Sequence, residues 1–170
     1  MLLRIVGAGM IVAGCGGVGF SMALNYKREI SALRQMVRAL DYLYCELESR
    51  LTPLPQACRL VSEICNTGVK KLFQDLAMEL ESQVAPDAQC CVRRAVSGNT
   101  HVPGITAEMF SRLGDTLGIF NLEGQLRGLQ SVQRECVMKM EELEANRNQR
   151  VSSYQTLGLC AGAALAILFV

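Results

Sequence analysis

Tryptophan is absent, histidine occurs once, and aromatic residues make up only 5% of the 170 positions. These scarcities remove whole classes of function. A Ser–His or Cys–His catalytic pair would have to rest on His101, the sole imidazole, and no partner base or orienting group stands out to complete it. His101 sits by Pro103-Gly104 and reads as an exposed loop side chain, so no enzyme is expected. No phosphate-binding Gly-Lys-Ser/Thr loop is present, because the glycine-rich stretch near the amino terminus holds no lysine. Cys-x-x-Cys is also missing, and zinc needs such convergent ligands. Neither metal nor cofactor is expected.

Net charge is lacking too. Of 17 Lys and Arg, Arg4 alone lies outside residues 25–154, which leaves 16 there against 16 Asp and Glu. A neutral domain has no bulk attraction for nucleic acid, which requires a basic excess. Eight cysteines would suit a disulfide framework in a secreted chain. Here Cys15 and Cys160 fall in apolar ends, Cys90 and Cys91 are adjacent, and Cys45, Cys58, Cys65 and Cys136 occupy apolar helical positions. Buried free thiols in a reducing compartment are the simpler expectation. Cys58 and Cys65, seven apart on one predicted helix face, read as core for the same reason.

What the sequence does have is apolar length at both ends. Ile5 to Leu24 contains no charge and would span about 30 Å as a helix, the thickness of a bilayer core. Ser21-Met22-Ala23 offers the small residues of a signal cleavage site, but only Arg4 precedes the run, while Lys27, Arg28, Arg34 and Arg38 follow it and oppose translocation. The same charges predict a cytoplasmic domain, as do Lys139, Arg147 and Arg150 before the second run. That run, Leu157 to Val170, covers about 21 Å and reaches a full span only if it begins near Tyr154. Small residues recur every fourth position: Gly9, Ala13, Gly17 and Ser21 in the first run, Gly158, Gly162 and Ala166 in the second. Such faces allow close helix packing in lipid, although a run this rich in glycine produces the spacing by composition alone.

Between the ends the apolar period is helical throughout, and nothing alternates as a strand would. Ile30, Leu33, Val37, Leu40, Leu43, Leu47 and Leu51 mark a first amphipathic helix, ended by Thr52-Pro53-Leu54-Pro55. Pro55 suits the first turn of a second helix carrying Leu60, Val61 and Ile64, which stops near Asn66-Thr67-Gly68. A third carries Val69, Leu72, Phe73, Leu76 and Leu80, and a fourth runs from about Asp87 to Ser97 around Cys91, Val92 and Ala95, closed by Gly98-Asn99. Thr106 is the expected cap of a fifth, with Met109, Phe110, Leu113, Leu117 and Phe120 on one side and Gly114 and Gly118 calling for close packing. Asn121 caps a sixth helix that continues through Arg150 into the second apolar run. The predicted fold is all α: an antiparallel bundle of about six helices over residues 25–154, flanked by transmembrane helices over 1–24 and 155–170.

The order of these features resembles the stage III sporulation protein AB family of spore-forming bacteria. The resemblance covers essentially the whole chain. It rests on the amino-terminal span with its basic flank, on Leu113-Gly114-Asp115-Thr116-Leu117-Gly118 with Asn121-Leu122-Glu123-Gly124-Gln125, and on Tyr154-Gln155-Thr156-Leu157-Gly158-Leu159 before the closing apolar run. It implies a cytoplasmic domain similar to those of type II secretion F platform proteins, in the mother-cell membrane around the forespore. The implied partners are a secretion-type ATPase, stage III sporulation protein AA, other membrane components of the same complex, and the lipid bilayer. Platforms of that class hold two such domains and this chain one, so a homo-oligomer is implied as well. Candidate contacts for the ATPase are Arg93 with Arg94, and Glu141, Glu142 and Glu144, the last three reading equally as a solvated helix face. The competing expectation is a membrane-tethered helical scaffold or signalling adaptor unrelated to secretion.

Overall fold

In the first helix the buried positions are Ile30, Leu33, Met36, Ala39, Leu40, Leu43 and Leu47, spaced three and four apart as one face of an α-helix requires. The computed structural model describes residues 2–83, 85, 87–100, 102–117 and 121–169, with side chains from 24 to 146 except 67. Six helices and no strand are found among the described residues: α1 (Leu2–Ser49), α2 (Leu54–Ile64), α3 (Thr67–Ser82), α4 (Ala88–Ser97), α5 (Gly104–Gly114) and α6 (Leu122–Phe169). The chain divides into two compact units, one of Glu29–Met140 and one of Met1–Arg28 with Glu141–Val170. Both divisions fall inside continuous helices, α1 and α6.

Within the Glu29–Met140 unit, α2 packs on α3, α3 on α4 and α4 on α5. Asp41 of α1 accepts a hydrogen bond from Gln133 of α6, and three residues further along α1 Tyr44 meets Gln130, three residues back along α6. The two helices are therefore antiparallel there. The core is centred on Phe73 and Phe110, fully buried, with ring centroids 5.1 Å apart at 88°, the edge-to-face arrangement that the ring quadrupoles favour.

Local chemistry explains most boundaries. Pro53 precedes α2 and Pro55 lies in its first turn, where a missing N–H costs nothing. Asp87 caps α4 by accepting the Cys90 N–H at 2.7 Å, and Asn121 caps α6 by accepting that of Gly124 at 3.0 Å. Gly114 is needed for close approach, since a Cβ there would lie 3.0 Å from Val92 Cβ and 3.2 Å from the Gln89 backbone.

Several expectations are corrected. Thr106 does not cap α5, which starts two residues earlier: the φ of Pro103 is −55° and its carbonyl accepts the Ala107 N–H at 3.0 Å. Thr106 is instead fully buried in the first turn, its hydroxyl without a hydrogen-bond partner among the described residues. Asp115 and Thr116 N–H groups turn back onto Arg112 and Leu113, so α5 stops at Gly114, and Leu117 enters the core from beyond its end. Thr67 and Gly68 belong to α3. Met36 replaces Val37 at the centre of the α1 stripe, Leu51 and Ile64 are exposed, and Cys45 is exposed rather than buried. Gly118, Phe120 and His101 lie outside the described residues.

Candidate docking site

Burial pushes the Cys58 and Cys136 thiols up to about 12 and Cys65 to about 11, so none supplies a thiolate near neutrality. Burial also raises Cys91, with the charge of Glu79 adding to it. No group of three or more His, Cys, Asp or Glu could hold a metal ion among the described residues.

Arg93 and Arg94 are both exposed on α4. Arg93 donates to Gln89 at 3.0 Å within the helix, and Arg94 pairs with Glu79 of α3 at 3.2 Å. Near the end of α4, the Asn99 amide donates to Asp75 at 2.6 Å and to the Ala95 carbonyl at 2.7 Å, further fixing α4 on α3. Arg94 is thus a structural cation as well as a surface one. Glu141, Glu142 and Glu144 are exposed on α6 in the unit that holds both chain ends; Glu142 and Glu144 engage other groups. The small residues Gly9, Ala13, Gly17, Gly158, Gly162 and Ala166 lie outside the residues whose side chains are described. No helix is long and apolar enough to cross a membrane among the described residues, and both apolar runs fall outside that search.

Two surface features were not singled out in the sequence. The first is the corner between α1 and α2. Glu46 is 2% exposed, yet its carboxylate is held at both oxygens, by Arg50 Nη1 at 2.8 Å and by Thr52 Oγ1 at 3.0 Å. Tyr42 also bonds to it, which raises the Tyr42 phenol. Between the two anchored residues Leu51 adopts φ 51°, a left-handed backbone that costs a non-glycine residue about 1–2 kcal/mol, and leaves its side chain 70% exposed. The detectable signal was spacing: Glu46 lies three residues after Leu43 on the buried face, with Arg50 one turn on.

The second feature is a groove of about 400 Å³ between α2 and α3, lined by Arg59, Ser62, Glu63, Gln74 and Met78. Arg59 pairs with Glu81 across the two helices, and Met78 stays 56% exposed. Sequence periodicity alone marks Met78 as polar-face, so its groove required the tertiary structure.

These observations define an all-α bundle whose described polar groups are mostly paired or solvated and which leaves several large apolar side chains exposed, among them Leu51, Ile64, Met78 and Met138. The family model for stage III sporulation protein AB matches residues 4–170, and the chain belongs to that family. It is 25% identical to the stage III sporulation protein AB of Bacillus subtilis (strain 168) over 171 residues, 99% of this chain and 100% of the relative. A solved stage III sporulation protein AB structure shares the fold at a TM-score of 0.63, with 18% identity, covering 72% of this chain and 98% of its own. The family role is sporulation.

Proposed function

We propose that the protein is a membrane platform component of a sporulation channel or secretion-like complex between mother cell and forespore. The bundle docks a secretion-type ATPase, stage III sporulation protein AA, and passes its conformational changes to the assembly. The observation that carries this reading is continuity: α1 and α6, the first and last helices of the bundle, extend without a break into the two apolar runs. Displacing such a bundle would load both helices, because an unbroken helix transmits force along its axis. The basic residues flanking the runs support an orientation with the bundle in the cytoplasm, and the family's sporulation role supports a place in the mother-cell membrane.

Co-purification of the full chain with the ATPase from a co-expressing cell tests the docking. Recovery of both is expected, with loss in a variant carrying Arg93→Glu and Arg94→Glu together and in one reversing Glu141, Glu142 and Glu144. Absence of any complex with the parent chain would sink the ATPase reading. For orientation, cysteine placed at Lys71 should react only after the membrane is made permeable; labelling from outside intact cells would reverse it.

A further inference from the structure

We draw no further inference here: the strongest candidate, the groove between α2 and α3 with the exposed Met78 on its wall, carries nothing, because its Arg59 is already paired with Glu81 and nothing in the structure shows what covers it.

Discussion

The carboxylate of Glu29, in α1, accepts the backbone N–H of Ile105 in the first turn of α5. Pro103 occupies the cap position of α5 and supplies no side-chain bond, so this donor of the first turn is met by a residue distant in sequence. The long-range cap ties the start of the bundle to its fifth helix.

Glu29 should make stability pH-dependent. Burial raises its carboxyl above 4.5, and the Ile105 bond offsets this only in part. Between 4.5 and the raised value the folded state keeps a proton that the unfolded state has released. Stability from this group is therefore fully present below 4.5 and declines as pH rises through that window. Glu29→Gln, which can still accept the Ile105 N–H, should flatten this slope and be no less stable than the parent at neutral pH. Glu29→Ala should lose about 1 kcal/mol as an uncapped helix start. Denaturant midpoints from acid to neutral pH check both; a slope unchanged in Glu29→Gln would reject the assignment.

Three glycines should respond in a fixed order. A Cβ at Gly128 would meet Thr116 Cβ at 2.6 Å, one at Gly114 would meet Val92 Cβ at 3.0 Å, and one at Gly104 would meet nothing within 4 Å. Gly128→Ala is expected to cost about 1–3 kcal/mol by overpacking, and Gly114→Ala less. Gly104→Ala should be neutral or stabilising by up to about 1 kcal/mol, because alanine has less unfolded-state freedom. Thermal unfolding of the three variants gives the ranking, and a stabilised Gly128→Ala would contradict the packing.

The Glu46 cluster predicts unequal arginines. Arg50→Ala leaves a carboxylate 2% exposed with Thr52 and Tyr42 for partners, and should cost about 2–3 kcal/mol, moderated by the solvent that already reaches Arg50. Arg127→Ala removes a pair whose side chains are 71% and 76% exposed, and should change stability by less than about 0.5 kcal/mol. Equal losses in chemical denaturation would mean that Glu46 is not buried in solution.

Thiol reactivity should follow burial. Cys45 is exposed and is expected to react fastest with a maleimide, Cys90 more slowly, and Cys58, Cys65, Cys91 and Cys136 only on unfolding. Mass mapping of the modified peptides at neutral pH reads this directly. Early modification of Cys58, whose thiol is held up to about 12 by burial, would place it outside the core.

The order of six helices and the α3 and α4 core residues were legible in the sequence, because a stripe such as Val69, Leu72, Phe73 and Leu76 records burial in its own spacing. Proline and the Asn121 cap likewise act within a turn of where they stand. The corner at Leu51 and the groove at Met78 were not legible, since each depends on elements meeting from elsewhere in the chain.

Sequence by itself determined the all-α class, the helix count and the two apolar ends, all consequences of side-chain period and local backbone preference. Tertiary structure alone decided that Glu46 is buried, that the Glu29 carboxylate meets the Ile105 N–H in the first turn of α5, and that Leu51 takes a left-handed backbone with its side chain exposed. The physical reason is that burial and pairing of a polar group are set by what packs against it, and that partner is not encoded within its own helical turn.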